Sequence, residues 1–188
     1  MTTQEIIHKL KSGNEAFVNN KNKNEDQGDD RRKTLVDGQS PYAIILGCAD
    51  SRVVPELLFD VGLGELFVVR VAGNIANTSS IASIEYAVSQ LGVKVIVVLG
   101  HESCGAVSAA IKGGDLGHNL NHLVSFIKPA IESSNENDCI DEVVKINAIE
   151  NANKLVTNSE VISGAIANGD LLVQPAFYNL NSGKVDFL

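Results

Sequence analysis

Two short segments hold residue types that bind metal ions: Cys48-Ala49-Asp50-Ser51-Arg52 and His101-Glu102-Ser103-Cys104-Gly105. Zn²⁺ takes cysteine sulfur, histidine nitrogen and aspartate oxygen as ligands in a tetrahedral shell, so two Cys and one His leave the fourth position to water or to Asp50. A zinc ion lowers the pKa of bound water to about 7 and makes hydroxide available near neutrality. Two thiolates weaken that effect relative to imidazoles, so a carboxylate that orients the hydroxide, as Asp50 would, becomes useful. Arg52 is always charged and would keep Asp50 ionised and fixed through a two-pronged pair. Taken singly, these residues have plainer readings. A lone buried cysteine behaves as a small apolar side chain, and neighbouring charges pair for structural reasons alone. Both cysteines occur with a second ligand type at short spacing, and that combination favours a metal site and an enzyme.

The elements that must position these residues are legible around them. Each segment follows an apolar, β-branched run ending in glycine, over 42–47 and 93–100. Such continuous runs suit strands buried on both faces of a parallel sheet. Neighbouring parallel strands would bring their carboxyl ends together at the edge where open α/β sheets bind ligands. Cys48 and Asp50 stand at i and i+2, on one side of an extended backbone. His101 and Cys104 converge if a helix begins there. Strand-like runs at 42–47, 66–71, 93–99 and 170–174 alternate with helical patterns near 77–91, 105–112, 119–132 and 140–167. The fold class expected is α/β, a central and mostly parallel sheet flanked by helices. Pro175 cannot donate to a ladder, which puts the last strand at or near an edge.

The 188 residues, 44% of them apolar, suffice for one packed domain. Residues 1–32 read as an N-terminal arm, an amphipathic helix carrying Ile6, Ile7, Leu10 and Phe17 followed by a polar tether, and 33–188 as the catalytic core. The arm has little to bury against in its own domain and is expected to pack on a second subunit. A net charge of −8 argues against a nucleic-acid partner. No apolar stretch approaches the roughly 20 residues that cross a bilayer, and the N-terminus lacks a signal-peptide core. Three cysteines, two of them assigned to metal, indicate a reducing, cytoplasmic setting. Cys139 reads as an incidental thiol, and His118 with His122 as a solvent-facing pair at a helix start.

Cys48-x-Asp50-x-Arg52 followed by His101-x-x-Cys104-Gly105 resembles the signature of the β-class carbonic anhydrases. The similarity runs on through Leu10-x-x-Gly13-Asn14-x-x-Phe17, Gly64 to Arg70, Ala72-Gly73-Asn74, Ser83 to Val88 and the segment from Gly169 to Gly183. The resemblance implies one Zn²⁺ per chain, held by Cys48, His101 and Cys104. It implies an Asp50–Arg52 dyad, with Asp50 either orienting zinc-bound hydroxide or swinging in as a fourth ligand. If that closed form prevails at lower pH, activity rises from pH 7 to above 8. The family's substrate pocket maps onto Gln39, Phe67, Ala72, Tyr86 and Gly105, with Ala72 standing where many relatives have valine. A second bicarbonate pocket found in some members uses a tryptophan. Here Ile45 falls at that position, although Arg70 matches the pocket's arginine.

The implied activity is reversible hydration of carbon dioxide to bicarbonate and a proton, by a homodimer or homotetramer. Hydrolysis of carbonyl sulfide or carbon disulfide on the same zinc residues, and a non-catalytic zinc or bicarbonate sensor, are the alternatives. Retention of Asp50 and Arg52 weighs against the sensor.

Overall fold

The computed structural model describes residues 1–23 and 25–188. Asn24, within the polar segment read as a tether, lies outside them. Helices α1 (Thr3–Val18) and α2 (Asp29–Thr34) precede β1 (Ala43–Gly47), α3 (Pro55–Leu58), β2 (Leu66–Arg70), α4 (Thr78–Leu91) and β3 (Val95–His101). Then follow α5 (Gly105–Lys112), α6 (His118–Ser125), α7 (Lys128–Glu132), α8 (Ile140–Thr157), α9 (Glu160–Ala167), β4 (Leu172–Tyr178) and β5 (Val185–Phe187). Among the described residues the strands form one sheet in the order β2-β1-β3-β4-β5, parallel except for the final β4–β5 pair.

Alternation along the inner strands divides the core. Ala43, Ile45, Val95, Val97 and Leu99 pack on one face with Ile6, Leu10, Leu58 and Phe59. Ile44, Leu46, Ile96 and Val98 pack on the other with residues of α4, α8 and α9. Ile44, Ile45 and Leu46 are fully buried, each contributing roughly 1.5–3 kcal/mol. From β1 the chain moves to β2 on one side and later to β3 on the other. The order of connection therefore reverses at the carboxyl ends of β1 and β3, where a crevice opens in such sheets.

Helix boundaries follow local chemistry. Thr2 and Glu5 form a capping box at the start of α1, and Asn77 with Ser80 does the same for α4. The long helical pattern expected at 140–167 breaks at Asn158, after which Ser159 caps α9 by accepting from the Ile162 N–H. The pattern at 119–132 splits into α6 and α7, with Pro129 in the first turn of α7.

Two expectations are corrected. First, α1 packs on its own chain, with Ile6 and Leu10 buried to 1% and 0% exposure. The long crossover helices α4, α8 and α9 all lie on the opposite sheet face, and α1 supplies the cover this face lacks. Asn14 fastens it: its Nδ2 donates to the carbonyls of Leu58 and Gly183, and its Oδ1 accepts from the Val185 N–H. Second, the strand expected at 170–174 runs on through Pro175 to Tyr178 and is followed by β5. Proline is tolerated because it lies one residue beyond the last β4–β5 pair, where its carbonyl still accepts from the Leu188 N–H and only the donor it lacks goes unused. Helices α2 and α3 and strand β5 are further elements, too short for periodicity to reveal them.

A Cβ on Gly13 would lie 1.8 Å from the Phe59 carbonyl oxygen. Gly13→Ala is therefore expected to cost about 3 kcal/mol, the upper range for overpacking, as read by urea denaturation. Loss of under about 0.5 kcal/mol would show that α1 does not seat on its own domain.

Candidate metal centre

The register assembles the donors. Gly47 ends β1 opposite Leu99, so Cys48 follows level with Gly100, while β3 runs on to His101. Cys104 then caps α5 from its N-terminal side. The ligand atoms of Cys48, His101 and Cys104 all lie within 4.8 Å of one another, and all three residues are buried. Tetrahedral Zn²⁺ with bonds of about 2.3 Å to sulfur needs donors roughly 3.8 Å apart, a scale that a triangle no wider than 4.8 Å matches.

The chemistry of the donor set also fits a cation. His101 Nδ1 lies 2.9 Å from the Glu102 carbonyl, which fixes the tautomer with the proton there. Nε2 is left buried without a hydrogen-bond partner, its lone pair directed away from that contact. The two thiols titrate together. The neighbouring Cys104 thiol holds Cys48 well below the ordinary thiol range, against burial, with help from His101 and the Gly73 N–H. Cys104 is pushed up in turn by Cys48 and by burial. Burial opposes the charged form of His101, but the Cys48 sulfur, the Glu102 carbonyl and Asp50 outweigh it and raise its pKa. One acidic sulfur, a second thiol that shares its proton and an unpartnered ring nitrogen facing one another in the interior are better satisfied by a divalent cation than by protons.

Asp50 stands at the rim, its Oδ2 3.8 Å from His101 Nε2. Arg52 grips it with two prongs, Nε to Oδ1 at 2.9 Å and Nη2 to Oδ2 at 2.8 Å, and its backbone N–H adds a third bond at 3.0 Å. That grip, opposed only by modest burial, holds the Asp50 carboxyl well below the usual carboxylate range. Sequence reasoning overlooked how the loop itself is held. Arg70, at the end of β2, donates from Nε to the Cys48 carbonyl (2.9 Å) and from Nη2 to the Asp50 carbonyl (2.6 Å). Gly73, at φ 72°, donates its N–H to Cys48 Sγ at 3.3 Å. An arginine two residues before a turn containing Gly73 was the available signal.

The five residues mapped as a substrate pocket are dispersed in the single chain. Gly105 opens α5 beside Cys104, and apart from its chain neighbours and its own helix backbone nothing lies within 4 Å of where its Cβ would be. Ala72 begins the turn that contains Gly73. Phe67 and Tyr86 meet each other, with ring centroids 6.4 Å apart. Phe67 pairs with Ile44, however, four residues before Cys48 and so roughly 13 Å back along the strands. Gln39 is exposed between α2 and β1. His118 and His122 are exposed on α6, the latter edge-on to Phe126, and Cys139 is an exposed free thiol.

A family model described as carbonic anhydrase matches residues 43–185. Carbonic anhydrase 2 of Mycobacterium tuberculosis is 42% identical over 181 residues, covering 93% of this chain and 87% of its own. The chain belongs to the β-carbonic anhydrase family. The Pseudomonas aeruginosa carbonic anhydrase is 37% identical over 170 residues, 83% of this chain and 77% of its own. Among solved structures, a Sordaria macrospora β-carbonic anhydrase described as tetrameric superposes with a TM-score of 0.76 at 28% identity, covering 98% and 97% of the two chains. The Coccomyxa β-carbonic anhydrase in complex with acetazolamide gives 0.74 at 28% identity, covering 83% of this chain and 75% of that one. The Cys48–His101–Cys104 cluster thus sits within the matched region of a carbonic anhydrase fold.

Asp50 contributes to stability above its unfolded pKa of about 3.9 and loses that contribution only as pH falls through its lower folded value. An NMR titration of the Asp50 side-chain carboxyl should show it ionised down to about pH 3.5, with Arg52→Ala moving the transition up toward the ordinary range. An Asp50 that titrates near 4 in the unmodified protein would remove the role given to Arg52.

Proposed function

We propose that the protein interconverts carbon dioxide and bicarbonate, with release or uptake of one proton. The observation that carries this reading is the buried Cys48–His101–Cys104 triangle with an ionised, Arg52-held Asp50 on its rim. Three protein ligands leave a fourth position open, the hallmark of a catalytic zinc site. When bound, Zn²⁺ supplies a water whose pKa falls from that of bulk water to about 7.

The chain's own residues do the rest. Both Asp50 oxygens are occupied by Arg52, so the carboxylate stays ionised and can only accept. It takes the hydrogen bond of the attacking oxygen and leaves that oxygen's lone pair facing the carbon of carbon dioxide. As the new C–O bond forms, negative charge moves onto a carbon dioxide oxygen. We assign the role of donor to that oxygen to the Gly105 N–H, which is in the first turn of α5 and so without a partner inside the helix. Having no side chain there keeps the approach to this N–H open. The proton lost by water leaves to solvent. Arg70 keeps Cys48 and Asp50 in one fixed turn during the cycle.

We assign Phe67, Ala72, Tyr86 and Gln39 to the substrate path as the family resemblance implies, and read the active species as a homodimer or homotetramer. The tetrameric Sordaria macrospora relative, matched over 98% of this chain, supports that assembly. The three free cysteines support a reducing, cytoplasmic setting. Among the described residues no helix is long and apolar enough to cross a membrane.

Stopped-flow hydration of carbon dioxide at pH 8.4, on protein of measured zinc content, is the deciding assay. We expect about one zinc per chain and fast turnover that rises between pH 7 and 8.5. Asp50→Ala should lower turnover by on the order of 10²-fold or more. Full zinc without hydration would transfer the reading to carbonyl sulfide or carbon disulfide hydrolysis, and a flat pH profile would count against a nucleophile formed by deprotonation. Sedimentation velocity at micromolar concentration should show a dimer or tetramer. A monomer would overturn the assembly.

A further inference from the structure

Helix α8 touches the His101–Cys104 loop and the Gly73 turn that backs Cys48, the latter through side chains that helix formation disfavours. Asn147 and Asn151 are completely buried in its interior, where asparagine is a poor helix former. Asn147 Nδ2 donates to the Gly73 carbonyl at 2.9 Å, and the N–H of that same Gly73 donates to Cys48 Sγ. Asn151 sets the orientation. Its Nδ2 donates to Asn147 Oδ1 at 2.9 Å and to the Asn147 carbonyl at 2.8 Å, while its Oδ1 accepts from the Ala76 N–H at 2.8 Å. With Oδ1 of Asn147 so occupied, its donor end must face Gly73.

The same helix reaches the other loop at its first turn. Asp141 Oδ1 accepts from the Ser103 N–H at 2.9 Å, between His101 and Cys104. Between these two attachments α8 lies directly on β3: a Cβ on Gly100 would come within 2.8 Å of Val144 Cγ1. Both attached loops contain residues in the left-handed region, Gly73 at φ 72° with Asn74 at 44°, and Ser103 at 54°. For asparagine and serine such backbone persists when the surroundings over-determine it. Asp141 and Asn147 are six residues apart on one rigid element, about 9 Å along its axis.

We propose that α8 sets the spacing between the Cys48 sulfur and the His101–Cys104 loop, with Asn147 acting through the Gly73 turn as a positioning residue for that sulfur. Asp141 does the same through Ser103 for the His101–Cys104 turn. This rests on the zinc reading above. Hydrogen bonds behind metal ligands orient them and tune affinity, and their removal costs on the order of 10- to 100-fold in metal binding.

The test uses full-length protein loaded with Zn²⁺ or Co²⁺. Asn147→Ala and Asp141→Ala should each weaken Zn²⁺ affinity by about 10- to 100-fold in competition with a chelator. Each should also shift the thiolate-to-cobalt charge-transfer absorption. Asp141→Asn keeps an acceptor for the Ser103 N–H and should restore both readouts. Leu155→Val, on the same helix but in the core behind the sheet, should lower the thermal midpoint and move neither. Wild-type affinity and spectrum in both alanine variants would overturn the proposal. So would equal shifts in Asp141→Asn and Asp141→Ala, or a comparable shift in Leu155→Val. If Asn147→Ala does not fold, the Asp141 pair decides alone. A wild-type protein without a thiolate–cobalt band would instead sink the zinc reading itself.

Discussion

The structure depends on keeping two sulfurs and an imidazole nitrogen face to face in a buried space, where none has a partner that fully satisfies it. Burial disfavours charge on any of them, and their mutual approach makes them share protons. Holding such a set requires backbone fixed from several directions. Parallel strands with a two-residue overhang bring Cys48 and His101 side by side, and the start of α5 adds Cys104. Arg70, Gly73 and α8 then immobilise the turns between them.

That requirement explains several otherwise unfavourable features. Asparagines inside a helix, left-handed Asn74 and Ser103, and an arginine bonded to backbone carbonyls each carry a local cost. All of them cluster within reach of the donor triangle. Elsewhere capped helices, β-branched strands and an apolar face under α1 prevail, with left-handed backbone also at Asn20, Asp26 and Asp60. At the site, local preference yields to the geometry the donors need, as expected where function is placed above stability.

Asp50 shows how a surface-like interaction acquires a role from its place. An exposed arginine paired with a carboxylate ordinarily adds little to stability. Here the pair borders the donor triangle, and its consequence is protonation state: a carboxylate that can only accept. The same geometry would be incidental on an open helix face.

Much of this was determined by sequence alone. The continuous β-branched runs at 42–47 and 93–100, alternating with helical patterns, pointed to inner parallel strands, an arrangement that buries both faces. The residue types after them dictated what those strand ends could bind. Family membership followed from motifs that span nearly the whole chain. Only the tertiary structure decided how the pieces meet. Periodicity identified the apolar face of α1 but not the surface that receives it, since that depends on which sheet face the crossover helices leave bare. Arg70, Asn147 and Asp141 gave no sign of their attachments, because each acts on backbone groups between 20 and 74 residues away, and contacts of that range exist only once the chain has folded.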